Sequence, residues 1–198
     1  MHDGNQIEPL ASFADPIVGT HVTSNSVFIV STDRNYWDPN APCMIYVSGP
    51  KDFEFEVSKE IKGGCALSWS ISSDEMGNIF LGEYGPRENG LSKTVWRRSE
   101  SGERWTPVFN AEDLQVKDLD RTHIHRVAID PFTDNLWVTV GDGKENRGVY
   151  RSADQGLSWT RIIDSQATGI AFTSDAIFFG EDVKTAEITD RKSTRLNS

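Results

Sequence analysis

Apolar residues in this chain come in short runs broken by polar turns, and no stretch keeps a helical period over a useful length. Three segments, Asn78 to Glu83, Asn135 to Asp142 and Ala176 to Glu181, each run apolar and then end in glycine followed by a carboxylate. Each is preceded by another apolar stretch, Leu67 to Ile71, His123 to Ile129 and Gly169 to Phe172, across a polar turn at 73–77, 131–134 or 173–175. The pattern predicts the same pair of antiparallel strands three times. Two hairpins follow the first two pairs, Val95 to Trp105 and Val149 to Trp159. Both alternate apolar and polar residues, turn through a glycine, and place tryptophan three residues after it, 54 positions apart. A weaker copy, Val27 to Ser31, Met44 to Val47 and Phe53 to Val57, occupies the start.

Four strands per repeat, recurring at this spacing, are the mark of β-propeller blades. The sequence therefore predicts an all-β fold, a partial β-propeller of four-stranded antiparallel blades. About three blades are complete, and two strands of another follow. Such a chain is expected to leave a strand edge open.

The second hairpin turn, Ser152-Ala153-Asp154-Gln155-Gly156-Leu157-Ser158-Trp159, resembles the Asp-box at every defined position, and Arg98 to Trp105 is a degenerate copy with Glu100 in the aspartate place. The chain thus resembles the Asp-box (bacterial neuraminidase repeat), sialidase-like propellers, whose members include glycan-active and purely binding proteins. In such a turn Asp154 accepts bonds from turn amides, Gly156 supplies a positive φ and Trp159 packs between sheets. Ser152, Asp154, Gly156 and Trp159 are therefore expected to be structural. Sialidases of this family also carry an arginine in a Phe/Tyr-Arg-Ile-Pro segment, and the sequence has none.

In propellers of this type the first strand of each blade lines the central axis. Its start opens on the same face as the end of the second strand, and ligands usually bind there. Applied here, that rule collects Glu83, Asp142 and Glu181 at strand ends, with His123 and His125 at a strand start. Two positions apart in a strand, the two histidines point to one side, and Val127 and Ile129 are expected to continue that side inward. Two imidazoles with carboxylates have the donors of a divalent-metal site. A His–Glu couple suits acid–base work, and hydrogen bonding at a channel rim needs neither. Glu83, His125 and Asp142 are the candidate catalytic residues. Tyr84, Arg87, His123, Arg147 and Glu181 are the candidate ligand contacts, with no cofactor and no metal assigned. Arg34, Arg121, Tyr36 and Trp37 lie in neighbouring loops.

The resemblance implies a carbohydrate-directed propeller, glycoside hydrolase-like or glycan-binding, with its site on the channel face. The alternative is a non-catalytic scaffold that binds a protein or polysaccharide there. A net charge of −10 argues against non-specific nucleic-acid binding. No apolar run approaches the ~20 residues of a membrane span, and the first residues lack the pattern of a secretory signal. Cys43 and Cys65 fit no zinc spacing and are expected to be buried thiols.

Residues Asp190 to Ser198 resemble an in-frame translation of a sequencing adapter. The native part is then expected to be a single truncated domain over 1–189. Setting aside the three basic and one acidic residues of that tail takes the net charge to −12.

Overall fold

The computed structural model describes residues 9–25, 27–33, 38, 41–49, 53–85, 93–102, 104–114, 122–142 and 147–181. The 190–198 tail, Arg34, Tyr36, Trp37, Arg87 and Arg121 lie outside these residues. The strands run β1 (Ile17–Val22), β2 (Phe28–Asp33), β3 (Cys43–Ser48), β4 (Phe55–Ile61), β5 (Ile71–Ser73), β6 (Ile79–Gly82) and β7 (Thr94–Arg98). They continue with β8 (Trp105–Asn110), β9 (His123–Ile129), β10 (Leu136–Gly141), β11 (Gly148–Ser152), β12 (Thr160–Ile163), β13 (Ala167–Phe172) and β14 (Ile177–Glu181). Among the described residues they form three antiparallel sheets of four strands, each in chain order, and a two-stranded sheet of β13 and β14. These are three complete blades and the first two strands of another. Their first strands meet side by side, β1 with β5, β5 with β9 and β9 with β13.

Burial falls from the second strand of a blade outward. Every described residue of β6 and β10 is buried, whereas β12 has none that is. A neighbouring sheet covers each face of these second strands, so both alternating sets of side chains must be apolar. This explains the continuous runs Ile79-Phe80-Leu81 and Leu136-Trp137-Val138. Three apolar clusters fill the seams. Ile29, Ile45 and Leu81 lie in the first, Phe80, Ile124 and Val138 in the second, and Trp137, Ala167 and Ile170 in the third.

The tryptophans after the hairpin glycines tie each blade to the one before it. Trp159 Nε1 donates to the Val108 carbonyl on β8 at 2.7 Å, and its ring meets Phe109 edge-on. One blade earlier, Trp105 Nε1 donates to Ser58 Oγ on β4 at 2.9 Å. The turn before Trp159 is closed by side chains. The Ser152 hydroxyl accepts from the Gly156 amide and donates to Asp154 Oδ1. Asp154 also accepts the Ser158 amide and hydroxyl. Gly156 sits at φ +95°, and a Cβ there would lie 2.6 Å from Val108 Cβ. In the degenerate copy, Glu100 instead accepts from the side chain of Asn25, at the β1–β2 turn of the preceding blade.

One expected strand is displaced. Leu67 to Ile71 does not form the first strand of the second blade; residues Ser68–Ser70 make a 3-10 turn and β5 begins at Ile71. The Ser70 hydroxyl accepts the Leu67 amide at 3.0 Å and donates to its carbonyl at 2.9 Å, a local alternative to ladder pairing. The turn also seats β1, whose Thr20 amide donates to Ser68 Oγ.

Candidate functional site

Three of the four first strands, β1, β9 and β13, depart from regular pairing near their starts. Against β10, Arg126 pairs with Thr139 and Ile124 with Val140, which leaves His125 as the extra residue of a β-bulge. Similar irregularities stand near the starts of β1 and β13. A bulge breaks strict alternation and re-aims the side chains around it. Val127 and Ile129 join Ile124 in the seam facing the second blade, while Ala128 belongs to the next seam.

The two imidazoles meet beside this bulge. His123 Nε2 and His125 Nε2 are 2.8 Å apart, and both residues are 4% exposed. Asp142, just past the end of β10, completes the group, with Oδ1 3.3 Å from His125 Nε2 and Oδ2 3.8 Å from His123 Nε2. Gly141 makes room for this approach. A Cβ there would lie 3.4 Å from His125 Cε1 and 3.2 Å from Gln166 Cγ. Gln166 Nε2 donates to Asp142 Oδ1 at 3.0 Å and fixes that carboxylate from the fourth blade. Tyr84 lies edge-on to His123 with ring centroids 4.5 Å apart.

Glu83 sits at the matching position of the second blade, but its side chain is engaged elsewhere. Trp96 Nε1 donates to Glu83 Oε1 at 2.6 Å, and the Lys59 ammonium lies 3.4 Å from the centre of the Trp96 ring. Burial pushes the Glu83 carboxyl up to about 7, against the lowering effect of Trp96, Lys59 and the amides of Thr94 and Lys93. Its carboxylate is not among the groups that lie within 4.8 Å of one another around the histidines.

The chain was compared with known proteins. No family model and no curated protein matches it. Among solved structures, the GH74 enzyme of Niastella koreensis matches with a TM-score of 0.55 and 14% identity. That match covers 83% of this chain and 26% of the enzyme, so the chain spans about a quarter of its length. YCF48 of Cyanidioschyzon merolae matches with a TM-score of 0.33 and 16% identity over 88% of this chain and 66% of its own. The fold is that of a β-propeller.

Two of the remaining candidates, Glu181 and Arg147, lie near the same strand ends. Glu181, exposed at the end of β14, accepts from Ser165 Oγ at 2.6 Å, next to the Gln166 that holds Asp142. The Arg147 stem passes beside Gly141, but its Nε turns away to Asp164 at 3.1 Å, an aspartate it shares with Arg161. Arg87 lies outside the described residues. Two residues escaped the sequence reading. Gln166 precedes β13, whose start was placed at Gly169, and Asp33 ends β2, whose end was placed at Ser31. With Asp33 included, each of the four sheets carries a carboxylate at or just beyond the end of its second strand.

Cys43 and Cys65 are free and fully buried. Burial pushes the Cys43 thiol up to about 11 and raises that of Cys65 as well, which makes both poor nucleophiles. Among the described residues, no helix is long and apolar enough to cross a membrane.

Proposed function

We propose that this chain is part of a sialidase-like Asp-box propeller whose channel-mouth face takes a carbohydrate. One observation carries the reading: His123, His125 and Asp142 converge, largely buried, where the first strand of a blade begins and the second ends. A rigid scaffold presenting a few fixed polar groups beside an aromatic ring is the general form of a small-ligand site. Tyr84 is that ring, and Gln166, Glu181 and Arg147 border the group. The side-chain bonds of the Ser152–Trp159 turn support the Asp-box assignment. The likeness in fold to a GH74 glycoside hydrolase is in keeping with it.

Binding is the core of this reading, and hydrolysis is its extension. Glycoside hydrolysis calls for a proton donor paired with a second carboxylate across the sugar. Glu83, one blade away and bonded to Trp96, is the candidate for the donor, and burial keeps its proton on up to about pH 7. Asp142 is the second group.

The test is a glycan array together with turnover on a panel of aryl glycosides, using the chain and its Asp142→Asn, His125→Ala and Glu83→Gln forms. Binding that falls at least tenfold in the first two variants supports the reading. Turnover lost in Glu83→Gln while binding is retained supports the extension. Glycan binding that is absent, or equal in all forms, sinks the carbohydrate reading and favours the scaffold.

A further inference from the structure

We infer that His123, His125 and Asp142 form a three-ligand site for a divalent transition-metal ion, zinc by preference. The inference stands on the geometry of these residues and does not depend on the carbohydrate reading. Ligand atoms about 2.0–2.1 Å from a tetrahedral zinc lie about 3.3 Å from one another. Here the two Nε2 atoms are 2.8 Å apart, and Asp142 approaches His125 with Oδ1 at 3.3 Å and His123 with Oδ2 at 3.8 Å. One ligand atom from each residue lies within 4.8 Å of the other two, close enough to be drawn onto one ion.

Two imidazoles can share one proton between their Nε2 atoms with the Asp142 carboxylate beside them. A divalent ion in place of that proton takes a donor from all three residues at once.

The surroundings match a metal site as well. Gln166 Nε2 on Asp142 Oδ1 orients the carboxylate, the kind of outer partner that fixes a ligand. Gly141 leaves the His125 ring the space to turn inward. Two nitrogen donors and one oxygen select a first-row transition ion over calcium or magnesium, which prefer all-oxygen sites. Three protein ligands leave the fourth position open, as in catalytic rather than structural zinc sites. Water or a ligand hydroxyl takes that position.

The experiment adds zinc chloride to the metal-stripped chain and follows binding by calorimetry, with Co²⁺ absorption as a second readout. The site predicts one zinc per chain with micromolar or tighter affinity. It also predicts an intense Co²⁺ visible spectrum of low-coordinate type. His123→Ala, His125→Ala and Asp142→Asn should each weaken zinc at least tenfold, while His21→Ala, whose ring meets Ser73 instead, should bind as the parent does. The Co²⁺ spectrum is read on the parent chain, so it stands even where a variant fails to fold. Binding unchanged in all three ligand variants overturns the site. So does a Co²⁺ spectrum no stronger than that of the aqueous ion.

Discussion

The Glu83 carboxylate accepts the Trp96 indole N–H at 2.6 Å, and Lys59 caps the other side of that ring. A carboxylate just past the end of a second strand is thus held inside the wall between two blades. This placement shapes how the protein responds to pH.

Glu83 has its carboxyl raised from 4.5 to about 7 by burial. The folded chain therefore keeps this proton while the unfolded chain releases it. The stabilisation is full below about pH 4.5 and is lost as pH rises through about 7, a change on the order of 3 kcal/mol. Denaturant melts at pH 4.5, 6 and 8 should show stability from this group falling with pH, and Glu83→Gln should flatten that slope. An identical slope in the variant would assign the effect to other groups.

Asp154 behaves in the opposite sense. The Ser158 and Ser152 hydroxyls and the Ser158 amide hold its carboxyl at about 2, below its usual 3.8. Its stabilising effect is present above about pH 4 and is lost as pH falls through about 2. Asp154→Ala should be less stable than the parent at pH 6, with the gap closing in acid. A gap that is constant with pH would mean the turn does not use the charge.

Trp159→Phe and Trp105→Phe each remove an indole N–H that bonds across a blade seam. Each is expected to cost about 1 kcal/mol in chemical denaturation. The two effects should add, because they act at different seams.

Gly156→Ala meets both a positive φ and Val108, whose Cβ would lie 2.6 Å from the new methyl group. A loss of about 2–3 kcal/mol is expected. Combining it with Val108→Ala should return part of that loss, which a purely backbone effect would not do.

Gly141→Ala places a methyl group against His125 and Gln166 at contact distances of 3.4 and 3.2 Å. Zinc affinity is expected to fall several-fold with little change in the unfolding midpoint. Unchanged affinity would show that the histidine yields without leaving its position.

The repeating blade was legible in the chain because a blade's strands are neighbours in sequence. Alternation, turn glycines and the spaced tryptophans are local signals, and they set the strand order and the all-β class. The serine and aspartate of the Ser152–Trp159 turn were readable for the same reason, since their bonds reach only two to four residues. The bulge at His125 was not readable, because it exists only in the register of β9 against β10. Neither was the engagement of Glu83, which depends on Trp96 of its own sheet and Lys59 of another. Sequence placed the histidines and Asp142 at one end of a blade. Only the packed sheets decided that their side chains come within contact distance of one another, since an extra residue in a ladder re-aims the side chains around it.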